Sequence, residues 1–195
     1  MVLTGLRANH ARAAEGLVAA RRRLLIMIGQ SDDDLSLAIR FLRDSGACRG
    51  RNGTRPILEH FLGVRRLLSD WQAEPHVQRA GLFHALYIPA VETGVRIPDT
   101  LRRRVRELIG ERAETLLPEY STAVCSPMTQ RPGPEVALLL AANLVEQVEA
   151  GTADWLSLRR VHEEAVRLMV KALRAEFLPG NHSAIQALGE LLCRS

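Results

Sequence analysis

Two histidines whose neighbours are expected to be buried, His60 and His84, are the residues of this chain best suited to chemistry. Each is spaced with apolar residues at helical intervals, which predicts that both rings lie on buried helix faces. An imidazole there needs hydrogen-bond partners for both ring nitrogens, and it titrates closer to neutral pH than other side chains. On adjacent helices the two rings would share a metal ion, a substrate or a hydrogen bond with each other. The two apolar stripes comprise Ile57, His60, Phe61, Val64 and Leu68, and Val77, Ala80, Gly81, His84 and Ile88.

A third polar position is predicted on the buried stripe of a later helix. Asn143 and Gln147 interrupt this otherwise apolar stripe, and Glu146 lies just off it. Buried amides need hydrogen-bond partners, and a nearby imidazole is a suitable one. We therefore expect a pocket in which His60, His84 and Asn143 are the catalytic residues. The stripe contains Val136, Leu139, Leu140, Asn143, Leu144 and Gln147.

Four further residues are predicted to bind the substrate of this pocket. Glu59 directly precedes His60, Tyr87 lies one turn beyond His84, and Gln147 follows Asn143 by one turn. Arg112 would meet an anionic group of the substrate. Some of these residues have a purely structural alternative: a core aromatic for Tyr87 and a surface ion pair for Arg112. For each histidine, the alternative is a core residue bonded to a backbone carbonyl.

The remaining histidines are expected at the surface, because charged or turn residues surround them. The zinc motif with two histidines four residues apart is absent, as are a serine nucleophile elbow and a glycine-rich phosphate loop. The sequence motifs therefore identify no standard hydrolase. The four surface histidines are His10, His76, His162 and His182.

The composition is that of an ordinary globular protein with a basic charge. The net charge is +4, but Lys171 is the only lysine among 26 basic residues, and the arginines are dispersed among acidic residues. No basic stretch is interleaved with aromatic residues, so we expect no nucleic-acid partner. No apolar run is long enough for a membrane span or a signal peptide, so no membrane partner is expected. The chain has three cysteines, an odd number, and they are widely spaced, so no disulfide framework is indicated and a reducing cytoplasm is favoured.

Helical periodicity extends over the chain, and no stretch alternates long enough to predict a sheet. The predicted fold class is all-α, a compact single-domain multi-helix bundle over residues 1–195. Loops are predicted at residues 90–98 and 125–134. The predicted helices cover residues 6–29, 31–44, 54–71, 75–88, 99 or 100 to 109, 111–123, 134–149, 152–177 and 182–193.

Three stretches, LEHFLGVRRLLSDW, VQRAGLFHALY and RRVRELIGERAETLL, resemble an uncharacterised group within the HD-domain superfamily. The likeness covers an HD-like core at about 54–150, flanked by helices at 6–45 and 152–193. HD phosphohydrolases hold divalent metal with a first His, a His–Asp doublet and a distant Asp. They typically hydrolyse phosphate esters, and some members bind two irons and oxidise small molecules. The resemblance implies a helical enzyme with the first two ligands at His60 and His84.

The chain departs from this pattern at both carboxylates. Ala85 stands in place of the doublet's Asp, and Asn143 is the candidate for the distant Asp. Hard divalent ions prefer anionic oxygen ligands, so two imidazoles and an amide would bind them weakly. A softer ion would accept His60 and His84 but needs a carboxylate such as Glu59 or Glu146.

Three functions follow as hypotheses. The first is a small-molecule enzyme that works by histidine acid–base chemistry with weak or no metal dependence, so that no cofactor is required. The second is a metal-dependent hydrolase or oxygenase with rearranged ligands, in which a divalent metal binds His60 and His84. The third is a non-catalytic HD scaffold that binds a ligand or partner. An exposed apolar helix at 6–29 or 182–193 would then form a homodimer.

Overall fold

A computed structural model describes most of the chain after residue 33, and within that part the fold is mostly helical, as predicted. Its internal contacts divide the chain into two units, residues 1–41 and 42–195. In the first unit, the described residues begin a helix, α1 (34–44), that continues across the division. The predicted helix 6–29 and most of the predicted loop 90–98 lie outside the described residues. These are 34–89, 97–126, 130–153, 155–176 and 178–193, with the backbone alone for 155–162.

The second unit contains a short hairpin and the helices that follow it. Most helix boundaries lie within a few residues of the predicted ones, because proline and glycine punctuate the chain between them. None of the described helices is both apolar and long enough to cross a membrane. In chain order the elements are β1 (Arg51–Asn52), β2 (Arg55–Pro56), α2 (Ile57–Asp70), α3 (Pro75–Phe83), α4 (Asp99–Ile109), α5 (Glu111–Cys125), α6 (Pro134–Glu149), α7 (Trp155–Ala175) and α8 (Asn181–Cys193).

The hairpin corrects the prediction that no strands occur and that a helix begins at Thr54. Strands β1 and β2 pair antiparallel, with Asn52 opposite Arg55. Gly53 is the first residue of the two-residue turn and has φ of 60°, a conformation that glycine adopts without strain. Helix α2 starts only after Pro56. Strands of two residues are too short to produce the alternation by which a strand is recognised.

Helix α3 is shorter than predicted, and His84 lies at its C-terminal cap rather than inside it. The Nδ1–H of His84 donates to the Gly81 carbonyl at 2.7 Å. In the following turn the backbone hydrogen bonds span three residues instead of the four of an α-helix. They run from Leu86 N–H to the Phe83 carbonyl and from Ile88 N–H to the Ala85 carbonyl. Because the ring takes a carbonyl that the next helical turn would have used, the helix ends here.

Helix α6 is the centre of the second unit and packs against α2, α3, α5, α7 and α8. Residues 136–142 are all buried, so these two turns of the helix are enclosed on every side. This differs from the single predicted stripe: Glu146 is buried, whereas Asn143 and Gln147 are partly exposed. Helices α2 and α6 pack directly on each other and bring His60 to Glu146.

Candidate functional site

The two histidines that the sequence singles out face each other in the interior. The Nε2 atoms of His60 and His84 are 3.1 Å apart, and the planes of the two rings are nearly perpendicular, at 81°. Only 3% of His60 and 1% of His84 is exposed. Packing of α2 against α3 produces the contact, because His60 projects from the middle of α2 and His84 from the end of α3.

The other nitrogen of each ring is held by an acceptor. His60 Nδ1 lies 2.5 Å from Glu146 Oε2, and His84 Nδ1 lies 2.7 Å from the Gly81 carbonyl. A carboxylate and a carbonyl accept hydrogen bonds, so both Nδ1 atoms carry a proton. If neither Nε2 atom carried a proton, two lone pairs would face each other at 3.1 Å. One proton between the two rings turns this repulsion into a hydrogen bond.

His84 is the hydrogen-bond acceptor of the pair. The pKa of His84 is lowered to about 3, because burial disfavours its charged form and the charge of His60 repels it. The Gly81 carbonyl, Glu146 and the Asn143 side chain act in the opposite direction, and burial outweighs them. His84 is therefore neutral at physiological pH, and its Nε2 atom accepts a hydrogen bond from His60.

Glu146 supplies the negative charge that this arrangement needs. Burial alone would raise the pKa of its carboxyl group, but hydrogen bonds from His60 and Arg55 outweigh that effect and lower it. Arg55 Nη2 donates to the second carboxylate oxygen of Glu146. Gly63, one turn after His60 in α2, makes room for this carboxylate, since a Cβ atom there would overlap it.

The residues of this network form a chain from the surface to the interior. Arg55 keeps 22% of its side chain exposed, Glu146 8% and His60 4%. His84 ends the chain against the backbone of α3. Four successive hydrogen bonds therefore link Arg55 at the surface to the backbone of α3 in the interior. Such a chain is suited to holding or moving a proton.

Aromatic rings enclose the inner end of the network. The rings of Phe61 and Tyr120 each meet His84 edge-on, with centroids 5.3 Å away. Burial raises the pKa of Tyr120, so this phenol stays protonated. The apolar walls lower the local dielectric constant, which strengthens the hydrogen bonds among His60, His84 and Glu146.

The predicted amides lie beside the histidines, whereas Glu59 does not. The side chain of Asn143 forms a hydrogen bond with His84. Its Oδ1 atom also accepts a hydrogen bond from Gln147 Nε2 at 3.0 Å. Both amides are partly exposed on α6. Glu59 is exposed on α2, and the carboxylate that contacts His60 is that of Glu146.

Tyr87 belongs to a second buried cluster. Its hydroxyl donates to Glu114 Oε1 at 3.1 Å, and Glu114 is fully buried. Arg102 binds both oxygens of this carboxylate, and Arg106 binds Oε2. Burial and the charge of Glu114 raise the pKa of Tyr87. The cluster fastens α4 and α5 to the turn after α3.

Arg112 belongs to a third cluster, which also corrects the prediction that His76 lies at the surface. His76 is only 7% exposed, and its Nε2 atom lies 2.8 Å from Glu135 Oε1, which also accepts from Arg112 at 2.7 Å. Packing of α3 on α6 covers this ring although charged residues surround it in sequence. His182 is exposed, as predicted. A cavity of about 370 Å³ next to this cluster is lined by residues that include Arg112, Thr115, Glu119, Glu135 and Glu176.

Sequence reasoning missed Arg55 and named Glu146 only as a carboxylate that a softer metal ion would need. Arg55 lies in the hairpin, which the sequence pattern does not reveal. Glu146 follows Leu139 by seven residues, two helical turns, and thus lies on the same side of α6. A glycine within α2 on the face of His60 was the available signal that a neighbouring helix approaches there with a bulky group.

The side chains at the histidine pair do not make a complete site for a hard divalent ion. Within the described ranges, no three His, Cys, Asp or Glu side chains are grouped so as to hold a metal ion. Glu146, the nearest carboxylate, is bound to the Nδ1 side of His60 and to Arg55. The donors left at the Nε2 side are the two imidazoles, which are weak ligands for such ions.

Comparison with known proteins adds one match. Residues 41–125 match the model of a family described as a domain of unknown function (DUF6817). The matched segment contains both His60 and His84 but ends before α6, which supplies Glu146. No curated protein and no solved structure matches the chain.

Proposed function

We propose that this chain is an HD-like helical enzyme that acts on a small molecule by acid–base chemistry. The observation that carries this proposal is the 3.1 Å contact between the Nε2 atoms of His60 and His84, with both Nδ1 atoms held by acceptors. A pair of core histidines that only filled space would be expected to bond to backbone carbonyls. His60 instead has an anionic partner and a proton directed at a second base.

His60 is the proton donor in this mechanism. When a substrate separates the two rings, the Nε2 proton of His60 passes to a substrate oxygen or nitrogen atom, and His60 becomes neutral. Its Nδ1–H stays bonded to Glu146, which thus positions the ring and stabilises its charged form before transfer. A proton from water then restores the starting state, and the same ring acts as a base in the reverse direction.

The remaining residues of the site have positioning roles. His84 accepts a hydrogen bond from His60 between turnovers and keeps a neutral Nε2 atom towards the substrate. Asn143 and Gln147 are bonded to each other and would orient a polar substrate group. The two-histidine pattern on neighbouring helices supports an HD-type scaffold, while Ala85 in the doublet argues against the usual phosphohydrolase chemistry of that superfamily.

A metal-dependent enzyme is the second candidate, and one observation favours it. Histidines that bind metals usually donate the other ring N–H to a carboxylate or a backbone carbonyl, and both rings do so here. The lack of an anionic ligand on the Nε2 side weighs against it. We therefore rank it below metal-independent chemistry.

The proposed setting follows from the same features. None of the three cysteines forms a disulfide bond, which supports a reducing cytoplasm. A homodimer through α8 remains part of the proposal, and sedimentation of the purified chain would test it. Because the positive charge is carried by dispersed arginines, many of them in ion pairs, we propose a small-molecule partner rather than a nucleic acid.

One experiment separates the two candidates. The purified protein and its His60→Gln, His84→Gln and His182→Gln variants are analysed for bound metal and incubated with a cell metabolite extract, with and without a chelator. We expect one metabolite to be depleted by the native protein in the presence of the chelator and by His182→Gln. Depletion should be lost in the other two variants while circular dichroism shows that both are folded.

Other results would overturn the proposal. Stoichiometric metal that disappears with either histidine would establish the metalloenzyme instead. Turnover that persists in folded His60→Gln would show that the pair is structural. If no metabolite changes although all variants are folded, the acid–base enzyme is wrong and the chain is a binding scaffold.

A further inference from the structure

Two hydrogen-bond donors on the hairpin lack an acceptor. Asn52 Nδ2 and Arg55 Nε are both covered from solvent, and neither has a hydrogen-bond partner among the residues that the structure describes. Buried N–H groups are nearly always paired, because an unpaired donor loses its bonds to water without replacement. Both residues are only partly buried, so these donors lie just beneath the surface.

The two donors lie on the same side of the hairpin. Asn52 and Arg55 are directly opposite each other in the antiparallel register, and opposed residues project from the same face. Arg51, paired with Pro56, is the neighbouring position and projects from the other face. The unpaired donors are therefore adjacent, and one acceptor group can satisfy both.

The charge of the network indicates the sign of that acceptor. Arg55 is positive, and its described ion pair with Glu146 uses Nη2 and leaves the Nε–H group without an acceptor among the described residues. Glu146 also accepts a hydrogen bond from His60, so this carboxylate is shared between two partners. Buried charge is unfavourable unless it is compensated, so an anionic acceptor is favoured over a neutral one.

We propose that the Asn52–Arg55 face of the hairpin binds an anionic oxygen group, a carboxylate or a phosphate, of the small molecule. This inference rests on the proposed function and extends it, because it places the substrate's anion one guanidinium group away from the carboxylate that holds His60. Arg55 Nη2 stays on Glu146, while Arg55 Nε and Asn52 Nδ2 donate to the anion. Binding of the anion and the proton of His60 are thereby coupled through Glu146.

The test uses the full chain, and its readout is the nitrogen-bound proton signals of the two side chains in NMR spectra. Inorganic phosphate and acetate are titrated separately against a chloride control at constant ionic strength. We expect the Arg55 Nε–H and Asn52 Nδ2 signals to shift and saturate with one of the two anions, which identifies the group as phosphate or carboxylate. The assignments come from the signals lost in Arg55→Lys and Asn52→Ala.

Matched variants decide whether the site is specific. Asn52→Ala removes one neutral donor and should lower the affinity for the anion about 10- to 100-fold, as expected for the loss of a hydrogen bond to a charged group. Asn52→Asp should abolish binding, because it places an anion on the same face. Arg51→Gln removes one positive charge from the opposite face of the hairpin. It should leave the affinity for the anion unchanged.

The outcomes distinguish this inference from the function on which it rests. Equal weakening in Arg51→Gln and Asn52→Ala, or signals that never saturate, would mean nonspecific attraction and would overturn the subsite. If turnover is lost in His60→Gln but unchanged in Asn52→Asp, the subsite is rejected and the acid–base mechanism is still supported. Saturable binding at Asn52 in a protein whose turnover ignores His60→Gln would support the subsite and reject the acid–base mechanism.

Discussion

At the scale of single residues, Glu146 determines the state of the histidine pair. It is the only described carboxylate in contact with His60, and it accepts a hydrogen bond from the Nδ1–H group of that ring, whose Nε2 atom faces His84. Without it, the pair would either lose its shared proton or bury an uncompensated charge. The residue that the sequence placed beside the stripe is thus the one on which the site depends.

Replacing Glu146 with Gln should destabilise the protein and change the pair. Loss of one partner from a buried charged network typically costs several kcal/mol, and the partial exposure of Arg55 reduces this to about 2 kcal/mol. Urea unfolding measures the change, with Glu149→Gln, on the exposed end of the same helix, as the control. Equal stability of the two variants would contradict the role given to Glu146.

Acidification should destabilise the protein through Glu114. Burial acts to raise the pKa of this carboxyl group, but hydrogen bonds from Arg102 and Arg106 lower it below its usual value. Its stabilising contribution is thus complete above the unfolded-state pKa of about 4.3 and is lost as the pH falls through the lower folded-state pKa.

Unfolding midpoints measured between pH 7 and pH 2 test this expectation. Glu114→Gln should be less stable than the native protein at pH 7 and should lose less stability below about pH 4. A variant whose stability falls as steeply as that of the native protein would show that Glu114 does not contribute to the acid transition.

At the scale of elements, the sequence predicts the helices well and the contacts between them poorly. Helix α4 begins and ends at Asp99 and Ile109, and α6 begins at Pro134, as predicted. The rotation of α6 about its axis is not predicted. Because apolar residues occur on every face of this helix, its stripe does not determine which polar residue faces α2. Glu146 rather than Asn143 contacts His60.

Gly63→Ala tests the close approach of α2 and α6. Alanine favours a helix by about 1 kcal/mol over glycine, but its Cβ atom would displace the Glu146 carboxylate. That carboxylate is held by Arg55 and His60, so its displacement breaks both contacts. We expect a net loss of about 1–2 kcal/mol in the free energy of unfolding.

A glycine with free space around it provides the control. No atom lies within 4 Å of a Cβ placed at Gly189 in α8, so Gly189→Ala should stabilise the protein by up to about 1 kcal/mol. The NMR signal of the His60 Nδ1 proton should move in Gly63→Ala and stay in Gly189→Ala. Stabilisation by both substitutions would mean that the carboxylate moves without cost.

At the scale of the whole molecule, the site depends on one enclosed helix. α6 packs on five other helices, supplies Glu146 and Asn143, and lies beyond the segment that matches the family of unknown function. The histidines on α2 and α3 therefore obtain their anion from a later part of the chain. Sequence patterns could not reveal this pairing, because 86 residues separate His60 from Glu146.

Hydrogen exchange should rank the helices by their enclosure. Residues 136–142 of α6 are buried without interruption, whereas α4 buries only Val105 and Ile109. Amides in α6 should therefore exchange only through global unfolding, and those of α4 at least about tenfold faster through local opening. If α6 exchanged as fast as α4, the carboxylate of Glu146 would be released without unfolding, and the histidine pair would lack a stable anion.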